Sequence, residues 1–149
     1  MVDLLLTIGH HILVFSLVAV LAAEIAAIRP NMRADQIDHL ARLDRFYGII
    51  AGLVIIVGLG RVFFGAKGPD FFLSNPIFWA KILTFAAIGI ISIAPTLRIL
   101  KWRRAVIGDP SYSPGERDIV PVRNTMLAEA ALLPLILIFA AMMVRGYGL

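Results

Sequence analysis

Five basic side chains of this sequence fall at positions where consecutive membrane-spanning helices would bring them to one level: His10, His11, Arg61, Lys81 and Arg145. Imidazole is the commonest protein ligand for metals and a frequent ligand of haem iron. Guanidinium and ammonium groups hold carboxylates and other anions. Asp3 and Asp70 are the only acids near these positions in sequence, and both lie at or beyond the membrane edge. An excess of cation in a partly apolar site favours an anionic ligand and needs one, because unpaired buried charge is costly. Adjacent helical residues point about 100° apart, so His10 and His11 cannot ligate one metal from an unbroken helix. One faces the bundle while the other faces the interface or a partner. Met142 and Met143 end the last apolar stretch at the same level. Histidine with methionine suits copper, whereas methionine alone fills gaps. The plainer alternative is that Arg61, Lys81 and Arg145 snorkel to lipid phosphates and the histidines bond water.

A second group of ionisable residues sits toward the other end. Glu24 and Glu129 are its deepest acids, accompanied by Asp44, Arg45, Tyr47, Arg98 and Arg123. Mixed signs make structural ion pairs the expected arrangement, with Glu24 and Glu129 paired to Arg45, Arg98 or Arg123. The alternative is a proton relay, since an ionisable group inside a bilayer costs at least about 2.5–3.5 kcal/mol at the helix centre and is kept for a reason. Glu24 follows His10 by fourteen residues, on nearly the same helical face but about 21 Å further along. The two therefore form no dyad.

Membrane helices must position these groups. The chain has 149 residues, 60% hydrophobic and 16% charged, against about 45–50% apolar and about 25% charged for soluble domains. Disorder is excluded, and the length fits one domain. A span takes about 20 apolar residues. Four such stretches are present: about 4–28, 46–64, 76–97 and 125–144. The fold class is an all-α integral membrane protein, a single four-helix transmembrane domain over 1–149 with the helices in an antiparallel bundle. The first span lacks the basic start and short apolar core of a cleaved signal peptide. Arg29-Pro30 stops it. Residues 35–43 could form a short amphipathic surface helix, leaving His39 in water. Residues 65–75 form a short loop rich in turn formers. Residues 98–123, with Pro110, Pro114 and Pro121, are expected to be irregular. Small residues such as Ser16, Ala19, Gly52 and Gly58 let helices approach closely or admit a flat ligand.

Ten of the 14 Lys and Arg residues lie in the first and third loops, which places those loops in the cytoplasm. In a bacterium both termini are then periplasmic, and the location is the inner membrane. The +4 net charge reflects this topology; no basic patch with interleaved aromatics points to nucleic acid. The absence of cysteine removes disulfides, thiolate zinc sites, iron–sulfur clusters and thiol catalysis.

The stretches His10-His11 with Phe15, Arg45-Phe46-Tyr47-Gly48, Phe78-Trp79-Ala80-Lys81-Ile82-Leu83-Thr84-Phe85, and Arg123-Asn124 with Glu129 and Pro134 together resemble the HemJ-type protoporphyrinogen oxidases and the wider CopD-like group of small membrane proteins. The likeness is closest to a bacterial branch known only as a domain of unknown function. It covers most of the chain in layout. It implies haem b with His11 or His10 as axial ligand, and Lys81 as the second functional residue. The sequence departs from the family pattern at Trp79, where a histidine stands two residues before the lysine. It departs again in the last span, where Asn124 and Glu129 are separated.

Three functions follow as expectations. The first is a haem-binding oxidoreductase passing electrons from a porphyrinogen toward quinone, with Arg61 and Arg145 at the porphyrin carboxylates. The second is a copper-handling protein using His10, His11, Met142 and Met143. The third is a non-catalytic accessory protein whose charges only set topology. Membrane lipid is the common partner, and the small-residue faces permit a homo-oligomer.

Overall fold

The computed structural model describes residues 1–148. The helices are α1 (Val2–Ala27), α2 (Ala34–Phe64), α3 (Gly68–Leu73), α4 (Pro76–Gly108) and α5 (Glu116–Val144). All but the short α3 are long and apolar enough to cross a membrane, with mean hydropathy between 2.0 and 2.4 in their most apolar stretches. There is no strand among the described residues. Neighbours in the ring are α1 and α2, α2 and α4, α4 and α5, and α5 and α1. This is the up-down-up-down bundle expected of four apolar helices joined by short connections.

The helix ends follow local chemistry. Ile28 leaves α1 in extended conformation, and Arg29, directly before Pro30, is disfavoured from continuing the helix. Asn31 takes a positive φ of 59°, a conformation its short polar side chain tolerates. The Gln36 side chain accepts from the Arg33 N–H at 3.1 Å and closes the first turn of α2. Asn75 caps α4 by accepting from the Ile77 N–H at 2.8 Å, with Pro76 in the first turn.

The structure departs from three expectations about the loops. The amphipathic stretch 35–43 is not a separate surface helix; it is the first part of α2, which runs unbroken through Asp44 and Arg45. Charged residues do not break a helix, and no glycine or proline stands between Ala34 and Tyr47. Residues 98–123 are likewise mostly helical, and only 109–115 lie between α4 and α5. Pro121 sits near the start of α5, and Pro110 and Pro114 fall in the true connection. Residues 65–75, taken as a loop, carry the single turn and a half of α3.

Helices of 31 and 33 residues exceed the roughly 20 that cross a bilayer. The excess lies at the end opposite the chain termini, where α2 and α4 carry Asp35–Arg45 and Arg98–Arg104. The best-packed part of the protein is there: Met32, Ile37, Leu40 and Ile99 are fully buried, and Trp102 nearly so. An ion pair between Arg103 Nε and Asp38 Oδ1 at 2.9 Å ties α4 to α2 over this core. In the apolar band, by contrast, Ile56, Leu83, Ile90 and Leu137 face outward. Lipid is as apolar as these side chains, so they need no protein cover.

Candidate functional site

Each long helix buries one stripe at alternating three- and four-residue spacing, the seam of nearly antiparallel packed helices. In α1 the buried positions Leu17, Leu21 and Glu24 continue backward through Val14 to His10. In α5 the stripe is Ile119, Val122, Met126, Glu129 and Leu133. In α4 it holds Phe78, Ile88, Pro95, Ile99 and Trp102, and Lys81 falls in the same series. In α2 it includes Ala41, Asp44, Tyr47 and Val54, with Gly58 and Arg61 in step. The helical phase thus turns His10, Arg61 and Lys81 inward at the terminal end and Glu24, Asp44, Tyr47 and Glu129 inward at the opposite end.

At the terminal end, His10 is half-buried and lies against Gly58 of α2. A Cβ at Gly58 would stand 3.4 Å from His10 Cε1 and 3.7 Å from Nδ1, in ordinary van der Waals contact, so the ring lies directly on this stretch of α2. His10 Nδ1 and Arg61 Nε are both buried without a hydrogen-bond partner. Lys81 is half-buried, with its Nζ 5.4 Å from the Phe78 ring centroid. Arg61 and Lys81 lie within electrostatic reach of the His10 ring and of each other. Neither nearby acid joins them. Asp3 Oδ1 accepts from the Ala66 N–H at 3.2 Å and pins the end of α2, and Asp70 is exposed on α3. Two cations and an imidazole therefore share a layer that supplies no counter-charge.

His11 is placed differently. It is exposed, and its Nδ1 donates to the Thr7 carbonyl at 2.7 Å. Its ring centroid is 6.4 Å from that of His10, with the planes nearly perpendicular. The two imidazoles do not converge. Arg145 is exposed beyond the end of α5. Met143 is buried against Val62 and Phe78, as a packing side chain would be. Among the described residues no three or more His, Cys, Asp or Glu side chains gather in a metal-ligating cluster.

The expected ion pairs at the opposite end do not form. Glu24 and Glu129 are buried, whereas Arg45, Arg98 and Arg123 are exposed. Among the described residues the only ion pairs are Arg33–Asp35 and Arg103–Asp38. The physical reason is phase: Arg123 follows Val122 and Arg45 follows Asp44, so each points about 100° away from the stripe. The acids are instead grouped with one another. Tyr47 donates its hydroxyl to Glu129 Oε2 at 3.2 Å, bridging the bundle diagonally from α2 to α5. Thr96 of α4 donates to Asp44 Oδ1 at 2.7 Å. Glu24 lies within electrostatic reach of Asp44 and Glu129. Glu24 Oε1 and Glu129 Oε1 are buried without a partner.

Thr96 and Asn75 are parts of these sites that the sequence does not single out. Asn75 is fully buried, and its amide donates to the Tyr147 carbonyl at 3.1 Å, fixing the last turn of the chain over the terminal layer. An Asn directly before Pro76 was the available signal, since Asn is a favoured helix cap. His39 is exposed as expected, on the rim of a shallow hollow with Arg29 and Asp35.

Fold and polar layers together define a small integral membrane protein with four candidate spans and ionisable groups on its inner seam. The chain belongs to the family described as "Predicted membrane protein (DUF2214)", whose model matches residues 2–148. No curated protein and no solved structure matches it.

Proposed function

We propose that this protein binds haem b in the terminal half of its bundle and serves as an oxidoreductase of the HemJ type in the inner membrane. The carrying observation is the layer of His10, Arg61 and Lys81 with two buried, unpartnered nitrogens and no acid among them. The donor set suits the group: one imidazole for the iron, and two cations for the paired carboxylates of an otherwise apolar ring. His10 would hold the iron, and Arg61 and Lys81 would hold the propionates. When bound, haem supplies one-electron chemistry, while the protein positions it and sets its electrostatics. Arg45, Arg98, Arg103 and Arg123 at the opposite end support a cytoplasmic location for that end and a periplasmic one for the termini. The copper reading has less support, because His10 and His11 point apart.

Titration of haemin into the purified protein tests the reading. Wild type is expected to bind one haemin per chain saturably. Arg61→Gln and Lys81→Gln are each expected to weaken binding about tenfold, the effect of roughly 1.4 kcal/mol from one lost charged contact. Unsaturable uptake that neither substitution changes would favour the accessory role, in which the charges only set topology.

A further inference from the structure

The acidic group at the opposite end of the bundle has no part in the haem reading and does not depend on it. Its members come from every long helix: Glu24 from α1, Asp44 and Tyr47 from α2, Thr96 from α4 and Glu129 from α5. Glu24 and Glu129 are only 2% and 1% exposed, and each has one carboxyl oxygen with no donor. Among the described residues no Lys or Arg nitrogen comes within 4 Å of any of the three acids. Hydrogen-bond accounting is therefore incomplete. Buried polar atoms are normally satisfied, and buried carboxylates are paired or neutralised. The available donors are already assigned, the Tyr47 hydroxyl to Glu129 Oε2 and the Thr96 hydroxyl to Asp44. A proton on a carboxyl group would supply the missing donor.

We propose that Glu24 and Glu129 together hold one exchangeable proton, anchored by Tyr47 and exchanged with water at the loop end through Asp44. Asp44 is the least buried of the three acids, at 8% exposure, and its position on α2 precedes Tyr47 on the same stripe. On loading, a hydronium ion at the loop end gives its proton to the Asp44 carboxylate. Asp44 passes it to the Glu24–Glu129 pair and returns to the carboxylate form, so that one carboxyl O–H is formed and one water released. Thr96 orients Asp44, and Tyr47 holds the Glu129 carboxyl in place. Sodium or another metal cation is a different occupant, which the test separates.

Infrared spectroscopy of the full-length protein in lipid, at neutral pH, reads the proton directly. Wild type is expected to show the carbonyl stretch of a protonated carboxyl group, and this band is expected to disappear in Glu24→Gln and in Glu129→Gln. Transfer to heavy water is expected to shift the wild-type band promptly, and to shift it about tenfold or more slowly in Asp44→Asn, as removal of a proton-transferring group does. The proposal is overturned if wild type lacks the band, if the band persists undiminished in both glutamine variants, or if sodium chloride at fixed pH abolishes it. It is equally overturned if Asp44→Asn leaves the shift rate unchanged. The wild-type band and its sodium response stand even where a variant does not fold.

Discussion

Protein purified with haem supplied is expected to lose its b-type absorbance on His10→Ala and to keep it on His11→Ala. The two histidines are neighbours in sequence and separate in space. His10 lies on the buried stripe of α1, fourteen residues before Glu24, with its ring against Gly58 and its Nδ1 unpartnered. His11 lies about 100° round the helix, exposed and already hydrogen-bonded to Thr7. An iron ligand bound among Arg61 and Lys81 must come from the first. His10 would supply the imidazole that holds the iron, so the expected effect of its loss is large rather than graded. A spectrum lost in His11→Ala and kept in His10→Ala would place the haem outside the bundle, at an interface with lipid or a second chain. Both variants must elute as a single species of unchanged helicity for the comparison to count.

The second large effect concerns stability. Trp102→Ala is expected to destabilise the protein by about 3–5 kcal/mol, as emptying a buried aromatic site does. Trp102 is nearly inaccessible and packs with Met32, Ile37, Leu40 and Ile99, in the part of α2 and α4 that extends past the apolar band. Water lies around that end, so burial there gains the full hydrophobic effect. Leu83→Ala provides the contrast. Leu83 is 68% exposed on the outward face of α4, and its loss is expected to change stability by no more than about 0.5 kcal/mol. Unfolding midpoints measured in one detergent decide the matter. Equal losses for the two substitutions would mean that the loop-end core does not hold the bundle together.

How far the sequence revealed this structure depends on the kind of signal. Four spans were legible because a bilayer demands long apolar runs and the chain has four of them. The three-helix convergence of His10, Arg61 and Lys81 was legible at the level of depth, since distance along each helix fixes height. Facing was not legible from depth. Arg145 and His11 belong to the terminal end of the bundle yet lie outside the layer, and Arg45 and Arg123 share the opposite end with Glu24 and Glu129 yet face away from them. The stripe of alternating three- and four-residue steps separates these cases, and reading it needs the register of every helix against its neighbours. The continuity of α2 through Asp44 was misread for a simpler reason. The apolar run ends there, but the helix does not, because helix boundaries answer to caps and prolines rather than to charge. Thr96 carries no signal of its own; it matters through Asp44, more than forty residues distant.

Occupancy of the terminal half of the bundle by haem b is read from the reduced-minus-oxidised absorbance spectrum of the wild-type protein. A b-type difference spectrum from protein purified with haem available, in stoichiometric yield, is expected. A colourless protein, even after haem has been supplied in excess, would contradict it and leave the cationic layer to an anion other than a porphyrin.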